Sequence, residues 1–96
     1  MKNIDEGSII WIDLLKDDKT LSVINKAYVV LKKGDLLITI IPIRKYLRLY
    51  SLINDGNELF SFVLPELEYV QIDSIEGNVI GEIEQKTLNL IQKCFE

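Results

Sequence analysis

Short segments rich in β-branched and aromatic residues follow one another along most of the chain, separated by turn and loop signals. They predict strands at residues 8–14, 27–31, 36–43, 46–53, 59–64 and 69–75, with a further short segment at 79–80. Gly34, residues 54–57 and Gly77 are typical turn positions. Because no crossover helix is predicted between strands, consecutive strands should pair antiparallel. The sequence therefore predicts a mainly β fold, a small antiparallel barrel whose closure hides the strand edges.

The end of the chain follows a different pattern. Its apolar side chains fall on one broad helical stripe, formed by Leu88, Leu90, Ile91, Cys94 and Phe95. Glutamates near the start and Lys93 near the end suit the dipole of a helix. The pattern predicts a helix over about residues 84–95, which can cover one mouth of the barrel.

The composition predicts one globular domain spanning residues 1–96, since 48% of the residues are hydrophobic and 27% are charged. No apolar run approaches the roughly 18 residues that a membrane-spanning helix needs. The first residues lack the apolar core of a secretory signal, so we expect a cytoplasmic protein with no membrane partner.

The absence of histidine excludes catalytic triads built on that residue and histidine-ligated zinc. The acidic residues at positions 73, 76, 82 and 84 match no metal-ligand spacing, so we expect no metal site and no cofactor. The single cysteine, Cys94, rules out an intrachain disulfide framework. It has no histidine to activate it and is predicted to be an inert thiol.

The net charge of −4 is unevenly spread along the chain. Residues 16–48 carry eight basic and three acidic side chains, whereas residues 49–96 carry nine acidic and two basic ones. An acidic chain with a basic middle can bind phosphates only through a local basic patch. The alternative is a mixed-charge surface that faces solvent.

Five segments occur in an order that a known family shares. Residues 7–13 read Gly-Ser-Ile-Ile-Trp-Ile-Asp, and residues 26–31 read Lys-Ala-Tyr-Val-Val-Leu. Residues 40–44 contain a strand that ends at a proline, residues 68–74 read Glu-Tyr-Val-Gln-Ile-Asp-Ser, and residues 80–83 read Ile-Gly-Glu-Ile before the predicted helix. In content and order these segments resemble the MazF/PemK family of toxin endoribonucleases, over nearly the whole chain.

The resemblance implies an SH3-like barrel that forms a homodimer and cleaves single-stranded mRNA. It also implies a partner antitoxin whose disordered tail lies in the RNA groove. A protein target is a further implication, because the DNA gyrase poison CcdB shares this fold by resemblance.

The chain departs from the family at the catalytic positions. The family has an arginine before its second strand, where this chain has Lys26. Lysine keeps the charge but lacks the bidentate fork that suits a phosphate. The family's catalytic threonine or serine follows the proline-terminated strand, where this chain has Ile43, Arg44 and Lys45.

Cleavage of RNA by its own 2′-hydroxyl needs a base, an acid and cations on the phosphate. The catalytic candidates are Lys26 and Arg44, with Glu66 or Glu68 as a carboxylate. Lys26 precedes one predicted strand and Arg44 follows the next, so a hairpin would place both at one groove. Exposed charges without a catalytic role are the alternative.

The candidates for binding RNA or a partner protein are Lys45, Tyr46, Arg48 and Tyr50, together with Glu66 and Glu68. Tyr46, Arg48 and Tyr50 alternate along the predicted strand 46–53 and would share one face, next to Lys45. Basic and aromatic side chains interleaved in this way hold phosphates and stack bases, although an ordinary outward strand face has the same composition. An exposed strand at this position would also favour the homodimer.

Two functional hypotheses follow. The first is a MazF/PemK-like toxin of a toxin–antitoxin system, acting on single-stranded mRNA as an endoribonuclease with reduced or altered catalysis. The second is a non-enzymatic small-barrel module that binds a protein through the same grooves, which the negative net charge and the missing hydroxyl favour.

Overall fold

Five strands form one antiparallel sheet in the part of the chain that the computed structural model describes, residues 4–15, 27–58, 63 and 67–94. The strands are β1 (Ser8–Leu15), β2 (Ala27–Lys33), β3 (Leu37–Pro42), β4 (Glu68–Gln71) and β5 (Ile75–Glu82). Helices α1 (Ile43–Asn54) and α2 (Gln85–Gln92) accompany them. The strand order across the sheet is β4-β3-β2-β1-β5. The mainly β class, the antiparallel pairing and the C-terminal helix are thereby confirmed.

The β2–β3 hairpin forms where its turn signal predicts. The Gly34 amide donates to the Leu37 carbonyl across the turn over 2.8 Å. At the far end of the hairpin, Tyr28 lies opposite Pro42. The start of β2 and the end of β3 are therefore neighbours, which fixes the position of everything that follows Pro42.

One face of the sheet carries a buried cluster made up mainly of strand residues. Its buried cluster comprises Ile4, Ile10, Ile12, Tyr28, Val30, Ile38, Ile40 and Val70, with the half-buried Ile72 beside them. Among these described residues, only Ile4 and Ile72 do not lie on a strand.

The helices cover the opposite face. The buried cluster on this side comprises Val29, Leu31, Ile41, Tyr46, Leu49, Val63, Leu88 and Ile91. Because burial of one large aliphatic side chain contributes about 1.5–3 kcal/mol, apolar packing is sufficient to hold both helices on the sheet.

Residues 46–53 belong to helix α1, so the strand predicted there is wrong. The buried Tyr46 and Leu49 and the half-buried Ile53 recur at intervals of three and four, which is the spacing of a helix face. Pro42 ends β3 and is also the N-cap of α1, so the chain passes from strand to helix without a loop. The homodimer stays a prediction, but an exposed strand at 46–53 no longer supports it.

The connection between β4 and β5 also differs from the prediction. Residues 69–75 divide into β4, a 3-10 turn at Ile72–Ser74 and the first residue of β5. Gly77 does not mark a turn but lies within β5, opposite Ile12. The described sheet is not closed into a barrel, since β4 and β5 remain its two edges.

Two predicted elements are only partly covered by the described residues. The strand predicted at 59–64 lies outside them except for Val63, which is helical and buried. The C-terminal helix spans Gln85–Gln92 within the predicted range, with Glu84 as its N-cap.

Gly7 joins three elements at the start of β1. Its amide donates to the Val30 carbonyl over 2.8 Å, and its own carbonyl accepts from the Ile83 amide over 2.9 Å. Its φ of +90° favours glycine, and a Cβ placed there would lie 3.3 Å from Cδ2 of Leu88. Gly56, just after α1, has a similar φ of +78°, but a Cβ there would meet nothing within 4 Å.

This pair of glycines separates backbone strain from packing. We expect Gly56→Ala to lower the free energy of unfolding by about 1 kcal/mol, because of its positive φ alone. Gly7→Ala should lower it by about 2–4 kcal/mol, because the new methyl group also displaces Leu88. Urea unfolding followed by Trp11 fluorescence measures both values, and equal losses would contradict the packing at Gly7.

Candidate functional site

The candidate site lies where β3 passes into α1. Pro42 pairs with Tyr28 of β2, and the next three residues form the first turn of α1. Arg44 is exposed and Lys45 is half-buried. This turn therefore presents two basic side chains at the end of the sheet where β2 begins and β3 ends.

The electrostatics of this turn favour an anion. The N-cap, Pro42, makes no side-chain hydrogen bond to the first turn of α1, and that turn contains no acidic residue. The N-terminal amides of a helix carry a partial positive charge, and basic side chains beside them make the electrostatic potential there more positive. A bound anion would lower that potential through both the amides and the side chains. The Arg44 guanidinium has no ion-pair or hydrogen-bond partner among the described residues.

The exposed side of α1 extends this basic surface. Arg44, Leu47, Arg48 and Ser51 are exposed and recur at intervals of three and four, so they form one stripe along the helix. Leu47 is 58% exposed in the middle of it. No acidic residue occurs anywhere in Ile43–Asn54. The lack of acidic residues over these positions was visible in the sequence and is the signal that could have identified the stripe, including Leu47.

Tyr46 lies on the buried side of α1 rather than on the exposed stripe. It is 7% exposed, and its ring lies 6.3 Å from that of Tyr50 between centroids. Burial raises the pKa of the Tyr46 hydroxyl above its ordinary value of 10.0, the charges of Tyr50 and Glu84 act in the same direction, and a hydrogen bond with Thr87 opposes them. Since Thr87 belongs to α2 and is itself buried, Tyr46 connects the two helices.

The predicted site residues are therefore distributed over several places. Arg48 and Tyr50 are exposed on α1, but Tyr46, Arg48 and Tyr50 do not share a strand face, because the segment is helical. Glu68 is half-buried at the start of β4, opposite Ile40.

The hairpin places the start of β2 beside the end of β3, where Tyr28 lies opposite Pro42 just before Arg44. Lys26 and Glu66 lie outside the described residues, so the proximity of Lys26 and Arg44 stays a prediction.

The hydroxyl nearest to this junction in the sequence is poorly placed for chemistry. Thr39 is 7% exposed within β3, opposite Tyr69, so it does not face a ligand at the first turn of α1. The first turn of α1 can stabilise a negatively charged oxygen through its positive charge, but it does not supply a nucleophilic side chain.

Two pockets lie away from this junction. One of about 360 Å³ is lined by residues of the β2–β3 turn and the 3-10 turn, among them Leu36 and Ile72. The other, of about 320 Å³, lies between the C-terminal ends of α1 and α2 and is lined in part by Cys94. Burial raises the pKa of the Cys94 thiol, which donates to the Leu90 carbonyl over 3.4 Å, so the thiol is suited to packing rather than to attack.

Comparison of the chain with protein-family models, with curated proteins and with solved structures finds no match. Neither α1 nor α2 is long and apolar enough to cross a membrane. The described residues contain no group of three or more cysteine or carboxylate side chains placed to hold a metal ion.

The burial of Tyr46 predicts a specific dependence of stability on pH. Because the pKa of Tyr46 is raised in the folded protein, the unfolded chain releases this proton first as the pH rises through about 10. The neutral, buried Tyr46 therefore makes its full contribution to the free energy of unfolding below that pH, and this contribution is lost as the pH rises above it. We expect Tyr46→Phe to lower the free energy of unfolding by about 1 kcal/mol at neutral pH, through the lost hydrogen bond, and to show a shallower decline at alkaline pH.

The measurement is urea unfolding at a series of pH values from about 7 to 11. Tyr69→Phe, at a tyrosine that is 65% exposed on β4, is the matched control and should behave like the unmodified chain. An identical alkaline decline in Tyr46→Phe and the unmodified chain would show that Tyr46 does not carry the effect.

Proposed function

We propose that this chain is a MazF/PemK-like protein of the toxin–antitoxin type that acts on single-stranded RNA. The observation that carries the proposal is the first turn of α1, where Arg44, Lys45 and uncapped helix amides meet beside the start of β2. Phosphate is the anion that such a combination of amides and basic side chains suits best.

The SH3-like barrel belongs to the same proposal. The strand order β4-β3-β2-β1-β5, with a 3-10 turn joining the two edge strands, supports it. So does the buried inner cluster that the strands supply mainly from their own side chains. In this arrangement β4 and β5 approach each other across the 3-10 turn, and the helices pack outside the barrel.

RNA would lie along the stripe on α1. Arg44 and Lys45 hold one phosphate at the first turn, and Arg48 lies one helical turn further along. The exposed ring of Tyr50 offers a surface on which a base can stack. Lys26, Glu66 and Glu68 are proposed to complete the groove from the strands on either side of β3.

The proposed chemistry is attack by the RNA 2′-hydroxyl on the adjacent phosphate. Arg44 stabilises charge on the phosphate, while proton transfer falls to Lys26 and to Glu66 or Glu68. Because none of the three residues after Pro42 carries a hydroxyl group and Thr39 is buried, we propose that RNA binding is retained while cleavage is slow or altered.

A protein ligand is the second candidate, and Leu47 favours it. An apolar side chain that is 58% exposed among arginines suits an acidic segment with apolar residues, such as an antitoxin tail. In this alternative the chain is a non-enzymatic binding module that uses the same stripe.

A charge-matched pair of variants tests RNA binding. Arg44→Ala/Lys45→Ala should weaken binding of a 12-nucleotide oligouridine at least tenfold at low salt. The slope of log K against log salt should fall by about 0.7, since the two side chains hold one phosphate and each phosphate contact to a single strand contributes about 0.7. Lys32→Ala/Lys93→Ala removes the same charge from exposed positions outside the stripe and should change the affinity less than twofold.

Equal losses in the two double variants would reduce the binding to a non-specific charge effect and overturn the proposed site. If the unmodified chain binds no oligouridine but binds a synthetic acidic amphipathic peptide, and Leu47→Ala abolishes that complex, the protein-binding alternative is correct.

A further inference from the structure

The outer edge of β5 differs from the other edge of the sheet. Strand β4 has four residues, whereas β5 has eight, and within the described residues only β1 pairs with it. A long edge strand presents unpaired amide and carbonyl groups to any extended segment that reaches it. Proteins protect such edges by keeping them short, as β4 is, or by placing lysine or proline on them. Neither residue occurs in Ile75–Glu82.

Apolar side chains are exposed along the same edge. Val79 is 43% exposed and Ile80 is 58% exposed. On the neighbouring strand, Trp11 is 42% exposed and lies opposite Asn78. An added strand could therefore gain apolar contacts as well as backbone hydrogen bonds.

The register of β5 limits how long the added strand can be. Its pairing with β1 is regular from Gly77 to Val79 and is interrupted on both sides, between Ile9 and Ile10 and between Ile12 and Leu14. Such interruptions bend and twist an edge, so they oppose continuous stacking of many chains. A short segment centred on the regular stretch fits this geometry better than an open fibre.

The charge of the edge indicates the chemistry of the partner. The charged residues of β5 are Glu76 and Glu82, Glu84 follows, and the next basic residue along the chain is Lys86. Two copies of β5 paired with each other would bring four carboxylates into one ribbon, and like charges across strands are destabilising. Basic residues of an added strand would be attracted to the exposed Glu82 and Glu84, and its apolar residues would contact the exposed Val79 or Ile80.

We propose that the outer edge of β5 binds a short extended segment of a partner protein in which basic and apolar residues alternate, and that this segment adds a sixth strand to the sheet. The site is separate from the proposed RNA surface, because it lies at Asn78–Ile80, beyond the 3-10 turn across which β4 and β5 are proposed to approach each other, and because β1 and β2 lie between β5 and β3 in the described sheet.

A pair of synthetic peptides tests the proposal. One is an eight-residue peptide of alternating lysine and valine, and the other replaces each lysine by glutamate. Trp11 is the single tryptophan of the chain, so its fluorescence reports binding at the adjacent strand. We expect saturable binding of the lysine peptide, slower amide hydrogen exchange in β5, and no binding of the glutamate peptide.

Variants then locate the site. Ile80→Lys should weaken binding of the lysine peptide at least tenfold, because it removes an apolar contact and adds a repelling charge. Leu36→Lys, at a side chain that is 75% exposed in the β2–β3 turn, makes the same chemical change elsewhere and should leave the affinity within twofold. Arg44→Ala/Lys45→Ala should also bind the peptide normally, which separates this site from the RNA surface.

Three results would overturn the proposal. The first is that neither peptide binds, and the second is that Ile80→Lys and Leu36→Lys lower the affinity equally. The third is a homodimer in light scattering that Ile80→Lys dissociates and Leu36→Lys does not, since that result would assign the edge to a second copy of this chain.

Discussion

Burial of β2 on both faces is the constraint on which the rest of the structure depends. Val29 and Leu31 pack on the helical side, Tyr28 and Val30 pack on the inner side, and all four are at most 2% exposed. Each cluster needs β2, and neither can form without a second layer over it. The helical layer is supplied by α1 and α2, and the position of α1 directly after β3 follows from this need for cover. The basic turn at its start therefore lies beside the start of β2 as a consequence of core packing.

The fold class could be predicted because the strongest signals in the sequence are local. In the hairpin, apolar β-branched runs are joined by a turn signal at Gly34. In the C-terminal helix, an apolar stripe is accompanied by charges that suit the helix dipole. In both cases the two signals predict the same element. The strand prediction for residues 46–53 failed because two patterns coexist there. Tyrosine and arginine alternate as in a strand, whereas the buried residues recur at intervals of three and four positions as in a helix. Only contact with the sheet decides between them, and that contact joins residues distant in sequence.

The candidate site could be predicted in position but not in composition. Pairing of the strands on either side of Gly34 places the residues after Pro42 beside the start of β2, as the sequence alone implies. Which side chains face outward there depends on the helical phase of α1. That phase buries Tyr46 and exposes Leu47, whereas an alternating strand at this position would have grouped Tyr46 with Arg48 and Tyr50. Leu47, the apolar member of the stripe, could therefore be identified only once the helix was known.

The two hydrogen bonds of Gly7 also bear on how the molecule assembles during synthesis. They join the first strand to Val30 and to Ile83, and β1 pairs with β5 along nearly its whole length. The β2–β3 hairpin consists of local contacts and can form early, whereas one edge of β1 lacks its partner strand until β5 has been made. A nascent chain interrupted before residue 75 would therefore expose the apolar edge of β1, including Ile9 and Trp11, to other chains.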